Sequence, residues 1–395
     1  MLTNNFWVKI VLAVVSISFL IPATSATVRA FPFFILCLSC MFRRGYWKET
    51  RKGIVTFLIG GSILTLGFHG MLETKDLALF FICFCGISYM SEQFIFKPKY
   101  LYVFFVCSVL PSSFYHMIID GNVTWIPSNG VINIFGGVST KHGTAIAGVL
   151  LLLPSLCYLF ERHKGLIVEY STKKLLLLLT LSLYLVVFSS SRSVTLAVGA
   201  LGIYLYVNRK HFKKKLSILL FVIFNLSVFL MEYISDYITY INEIPWLAEF
   251  VHTDDFEQYG VTSGRAWLWG VHMHSFITSP FLMGGGRAET DFFVGDWLPW
   301  LGVQAQAGSE SVYTGYLACY GLVGVGLILI QLRLFLIAVK KEAVLASAIM
   351  FFMIYNTTMG MSLVTSYDYG GILCYFLYFM YLNKSVSYKQ YGVKI

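Results

Sequence analysis

Three short segments place a charged side chain among small hydroxyl and glycine residues. Arg192 sits in Phe188-Ser189-Ser190-Ser191-Arg192-Ser193-Val194-Thr195, between two apolar stretches with almost no loop. An arginine at a helix mouth costs energy unless it is paired or faces water. Two readings stand: a side chain snorkelling to lipid headgroups, or an anion site inside a helix bundle, where a guanidinium fork grips a phosphate through two hydrogen bonds. Arg265 lies in Ser263-Gly264-Arg265-Ala266-Trp267-Leu268-Trp269. Ser263 suits an N-cap, and a cation in the first turn opposes the helix macrodipole, which favours a functional role. Glu310 lies in Gly308-Ser309-Glu310-Ser311-Val312-Tyr313. The dipole favours a carboxylate there, and the same group can act as a general base or hold a hydroxyl.

Other residues are weaker candidates. Ser311 adjoins Glu310 and Tyr313 lies one turn on, so both are candidate substrate contacts. Lys141 and His142 open a helix where a cation could meet phosphate or merely snorkel. Arg287 and Glu289 follow Gly284-Gly285-Gly286, a triplet that permits unusual backbone angles and close approach to a ligand. They form either a solvated pair or part of a site. No Gly-Lys-Ser/Thr follows, so this is not a phosphate-binding Walker loop. His272 and His274 stand two apart and cannot share a helix face, which argues against zinc. Asp254-Asp255 lack further ligands for a metal. The eight cysteines fall in or beside apolar runs and read as small hydrophobes. No metal or cofactor is expected.

The elements that must position these residues are helices in a membrane. Hydrophobic residues make up 57% and charged residues 12% of the 395, about half the charge of a soluble domain. Runs such as Leu175 to Phe188 do not alternate, as barrel strands would. The pattern predicts an all-α polytopic membrane protein with helices over 6–21, 29–42, 53–70, 77–95, 100–117, 142–160, 174–190, 192–207, 216–232, 310–338, 343–357 and 368–382. The first is read as retained rather than as a cleaved leader. A single transmembrane domain spans 1–395, with a polar external loop over 232–309 that includes a membrane-surface helix to Ile277, ended by Ser279-Pro280.

The net charge of +9 would suggest nucleic acid in a soluble protein. Here it follows the loops. With the N-terminus in the cytoplasm, 21 of the 29 Lys and Arg fall in even-numbered loops and the C-terminus, as the positive-inside rule requires. Six fall on the other side: Arg29, Lys75, Lys141, Arg192, Arg265 and Arg287. No nucleic-acid partner is expected, and both termini are placed in the cytoplasm.

Ser-Ser-Ser-Arg192-Ser, Gly-Arg265-Ala with the glycine triplet, and Ser-Glu310-Ser-Val-Tyr followed by Tyr-Gly321-Leu-Val-Gly324 then occur in order on one side. This order over about residues 130–340 resembles the superfamily of O-antigen polymerases and O-antigen ligases. The resemblance implies a GT-C-type glycosyltransferase of the bacterial inner membrane, facing the periplasm. It would use sugars linked to undecaprenyl pyrophosphate, without metal or nucleotide sugar. Arg192 and Arg265 would engage the pyrophosphate, and Glu310 the acceptor hydroxyl. Ligases usually carry a histidine near the position of Glu310, whereas no histidine follows His274 here. Polymerases more often show Glu-Ser, so the resemblance favours the polymerase, with a chain-length regulator as an implied partner. The ligase, which transfers glycan to lipid A core, and a lipid-linked oligosaccharide flippase are the alternatives.

Overall fold

The computed structural model describes residues 4–20, 26–43, 46, 49–94, 96–120, 141–166, 168–189, 191–230, 265–297, 312–358 and 369–390. Among these the regular structure is entirely helical. In chain order the helices are α1 Asn4–Leu20, α2 Ala26–Met41, α3 Glu49–His69, α4 Met71–Gln93, α5 Lys99–Phe104, α6 Leu110–Asp120, α7 Lys141–His163, α8 Thr172–Phe188, α9 Arg192–Val207 and α10 Lys214–Leu230. They continue with α11 Arg265–Thr278, α12 Gly286–Trp297, α13 Val312–Tyr320, α14 Leu322–Lys340, α15 Val344–Thr358 and α16 Tyr369–Gln390. Each expected range carries a helix. Among the described residues, windows in three of them (Glu73–Gln93, Thr144–His163 and Leu322–Lys340) are long and apolar enough to cross a membrane, and several shorter helices are apolar.

Two expected helices are not continuous. Between α5 and α6 the chain forms a π-helical stretch, Phe105–Val109. Pro111 is the cause: it lacks an N–H, and its ring clashes with a regular preceding turn. The expected 310–338 helix breaks at Gly321, which has φ +54°. The chain folds back so tightly there that a side chain on Gly324 would strike the Tyr316 backbone.

The core centres on α15, whose residues from Leu345 to Thr358 are all buried. A helix apolar all round belongs inside a bundle. It packs on α9, α10, α13, α14 and α16, with Tyr204 stacked on Phe351 at 4.7 Å and donating to Ser347 at 3.0 Å. Elsewhere α7 and α8 meet closely at Gly148, where a Cβ would sit 2.9 Å from the Ser182 carbonyl oxygen. Small residues let apolar helices approach in this way.

The outer faces are apolar too. On α10, Leu219, Val222, Ile223, Leu226 and Leu230 are exposed. An exposed apolar stripe of this extent is adverse in water and natural against lipid. It is compatible with a membrane-embedded protein.

Loops expected on the basic side meet one another. Lys97 and Lys99 pair with Glu169, Lys214 with Glu342, and Lys384 with Glu161. Lys164 donates to the Lys210 carbonyl. The Lys99 ammonium holds the Glu169 carboxyl below its usual range. The Glu169 and Glu342 pairs are solvated, so each is worth about 1 kcal/mol or less, whereas the Glu161 carboxylate is buried. Their value is geometric, since they gather the same ends of α5, α7, α8, α10, α14 and α16.

Gly321 is the hinge of this architecture. Gly321→Ala should lose about 1–3 kcal/mol from its backbone angle alone, and more because the new methyl meets the Met283 backbone. Gly60→Ala, in helix α3 with nothing within 4 Å, should gain up to about 1 kcal/mol. Thermal unfolding in detergent reads both; an unchanged Gly321→Ala melting temperature would contradict the hinge.

Candidate functional site

Arg192 opens α9, and Ser189, Ser191 and Ser193 around it are buried. The Ser189 hydroxyl donates to the Val186 carbonyl at 2.7 Å and accepts from the Ser191 amide at 3.3 Å. These bonds satisfy backbone groups at the turn between α8 and α9. Part of the hydroxyl-rich run is therefore structural, as helix-end accounting demands.

Arg265 opens α11 as expected. This helix packs on α13 in a definite register. His272 Nδ1 and Thr314 Oγ1 share a hydrogen bond of 2.9 Å. Further along, a Cβ on Gly284 would lie 2.8 Å from the Leu317 carbonyl oxygen and 2.9 Å from the Gly321 amide. Later residues on one segment thus meet later residues on the other. The two run parallel, and their starts, Arg265 and Val312, lie toward the same end. Arg265 precedes His272 by seven residues in α11.

Helix α13 touches α15 through Tyr313, whose hydroxyl donates to the Ile354 carbonyl at 3.4 Å. Ile354 is one turn from the end of α15. Helix α9 runs beside α15, with Tyr204 near its start at Ser347, so Arg192 lies toward the other end. The starts of α9, α11 and α13 therefore share one end of the bundle. Lys141 and His142 begin α7, whose opposite end lies among the basic loops. Of the expected site residues, Glu310 and Ser311 fall outside the described residues, as do Asp254 and Asp255.

The glycine triplet differs from its sequence reading. Its close approach is to protein backbone: Gly284 and Gly321 occupy positions that a Cβ on either would close. Gly286, with φ +76°, faces His69 and Glu73 across a gap in which a Cβ would lie 3.0 Å from His69 Nδ1. Glu73 is buried, and its carboxylate accepts from the Arg287 amide at 3.0 Å. It caps the first turn of α12, where an anion is favoured. His69 Nε2 lies 2.6 Å from the Met283 carbonyl oxygen as donor. Arg287 and Glu289 have exposed side chains, and Arg287 lies within electrostatic reach of Tyr320 together with Asp76. Sequence reasoning passed over His69 and Glu73. Their only signal is position, at the end of α3 and in the first turn of α4, on the side that also holds Arg287.

His272 is fully buried, with Nε2 lacking a hydrogen-bond partner. His274 stands edge-on to Phe293 at 5.4 Å. Among the described residues no three His, Cys, Asp or Glu are grouped as a metal would need.

Burial pushes the His272 imidazole down from 6.5 to about 4. The unfolded chain therefore binds this proton more readily than the folded one. The stability that His272 contributes is full above about pH 6.5 and is lost as pH falls toward 4, up to about 3 kcal/mol. Thermal unfolding between pH 7.5 and 4 should fall more steeply for the native chain than for His272→Gln; equal slopes would show that His272 does not titrate with unfolding.

No known family model matches the chain, and no curated protein matches it.

Proposed function

We propose that the chain is a polymerase of surface-polysaccharide repeat units, a twelve-span GT-C-type glycosyltransferase of the bacterial inner membrane with its site facing the periplasm. One observation carries this reading. The parallel register of α11 and α13 aligns Arg265 with the segment entering α13, where Glu310 precedes Val312 by two residues. The start of α9, with Arg192, lies at the same end of α15. The starts of α9 and α11, which carry two of the motifs, and the start of α13, which follows the third in sequence, support this reading by lying toward one end of the bundle.

The chemistry follows from the residue types. A sugar anomeric carbon leaves undecaprenyl pyrophosphate as its C–O bond breaks, and the acceptor hydroxyl oxygen forms the new bond. The hydroxyl proton passes to the Glu310 carboxylate, and the pyrophosphate departs with both electrons of the broken bond. Arg192 and Arg265 neutralise the charge that develops there, where preorganised donors act most strongly. A guanidinium meets two phosphate oxygens at once, and an ammonium does not. Lys141, His142, Arg287, Ser311 and Tyr313 are the surrounding candidates for substrate contact. Substrates are lipid-linked oligosaccharides presented in the bilayer, and a chain-length regulator is the expected protein partner.

The break at Gly321 favours a second reading. Transporters for lipid-linked oligosaccharides often use discontinuous helices. A deletion strain separates these readings. Loss of a polymerase leaves single repeat units on lipopolysaccharide. Loss of a ligase leaves long chains on their lipid carrier, and loss of a flippase leaves lipid-linked units facing the cytoplasm. Arg192→Lys should reduce polymer formation at least about tenfold, the loss of roughly one charge-assisted hydrogen bond. Undiminished polymer would remove Arg192 from the mechanism.

A further inference from the structure

The turn between α11 and α12 has an unusual build. Pro280–Leu282 form a single 3₁₀ turn, in which Phe281 and Leu282 both have left-handed angles, φ 55° and 57°. Bulky residues adopt such angles only where their surroundings force them. The turn is pinned from the inside. Ser279 Oγ accepts from the Gly284 amide at 2.7 Å, the Leu282 and Met283 amides donate to Ser279 and Pro280 carbonyls, and Met283 O meets His69 Nε2. With that anchor, Phe281 and Leu282 turn outward. Phe281 is 83% exposed, more than most large apolar side chains in the chain.

The exposed tip does not stand alone. The Phe281 ring meets Phe68 edge-on at 6.2 Å. Phe68 is itself exposed and lies one turn after exposed Leu64, at the edge of a broad outward apolar face of α3 that also carries Ile59 and Ile63. Met71, one short turn beyond, is 75% exposed. The stripe on α3 is an apolar outer face of the kind that fits lipid, and Phe281 extends it past the end of the helix.

We propose that the Phe281–Leu282 tip inserts into the bilayer, with the acyl chains of the outer leaflet as its partner. This rests on the membrane-embedded reading of the bundle. Three features suit that partner. The tip continues a lipid-facing stripe. The backbone amides of Leu282, Met283 and Gly284 are bonded within the turn, as hydrocarbon demands of any segment entering it. The exposed cation Arg287 follows five residues after Leu282, where an arginine reaches headgroup phosphates while apolar neighbours sit deeper. The segment from α11 to α12 is then a cap fastened to the membrane on one side and to α13 on the other.

The test places a polarity-sensitive nitrobenzoxadiazole label at Phe281→Cys in the full chain, with exposed Cys107 changed to Ser, reconstituted in phosphatidylcholine vesicles. Leu282→Cys serves as a second position, should the first variant fold poorly. Val222→Cys, on the outer face of α10, reports the bundle, and Lys173→Cys reports water. Insertion predicts that the tip label is quenched at least about twofold by lipids brominated near the headgroup end of the chain, and is shielded from aqueous iodide as Lys173→Cys is not. A tip label quenched by iodide alone, while Val222→Cys is quenched by brominated lipid, overturns the proposal and leaves the bundle in the membrane. Lipid quenching at neither position overturns the membrane-embedded reading itself. Cross-linking between Phe281→Cys copies that blocks lipid quenching shows a second chain as the occupant and overturns the proposal as well.

Discussion

The arrangement at the end of the bundle opposite the basic loops depends on one contact between backbones. Met283–Gly284 and Leu317–Gly321 approach so closely that neither Gly284 nor Gly321 has room for a Cβ. Gly321 needs φ +54° and Gly284 φ +82°, angles that glycine adopts without steric cost. This interlock sets where α11 sits on α13, and therefore which residues oppose one another along the pair. The His272–Thr314 hydrogen bond and the Glu73 cap on α12 follow from it. Shift either segment by one residue and His272 would lose Thr314.

An apolar bundle makes such interlocks effective. Lipid offers helices no hydrophobic reason to associate, so packing and internal hydrogen bonds do the work. The interior of α15 shows the consequence. Ser347 takes a bond from Tyr204, and Thr357 and Thr358 return their hydroxyls to carbonyls one turn back. At the opposite end, loops bind through Lys–Glu pairs that water weakens. Precision is thus concentrated in the helices and glycines at the end away from the basic loops, which serve mainly to gather helix ends.

Much of this was legible in the sequence. Helix positions followed from uninterrupted apolar runs, and the grouping of loops followed from lysine and arginine counts, because both are properties of single segments against a bilayer. Arg192 and Arg265 were found at helix starts for the same reason. What escaped was pairwise. Nothing in Gly284-Gly285-Gly286 distinguishes a cradle for a ligand from a cradle for Gly321, since both need a missing Cβ. Nothing in a continuous apolar run from Val312 to Lys340 marks Gly321 rather than Gly324 or Gly326 as the break. Glu73 gave no sign of its role in the sequence, because its partner amide lies 214 positions away.

The shared end of the bundle has an electrostatic character that no single residue supplies. Helices α7, α9, α11 and α13 all begin there, and a helix start carries a partial positive charge. Arg192, Arg265 and Lys141 begin three of these helices. Cations at helix starts repel the dipoles beside them, so this pattern works against stability unless an anion completes it. A diphosphate is such an anion, and it would relieve the repulsion most as its charge grows on leaving the sugar. Glu310 does not neutralise the same charge if it serves the acceptor hydroxyl, because proton uptake would cancel its own charge as the pyrophosphate gains one. On the proposed reading, the excess of positive helix ends is the reason this face can hold a lipid pyrophosphate without a metal ion.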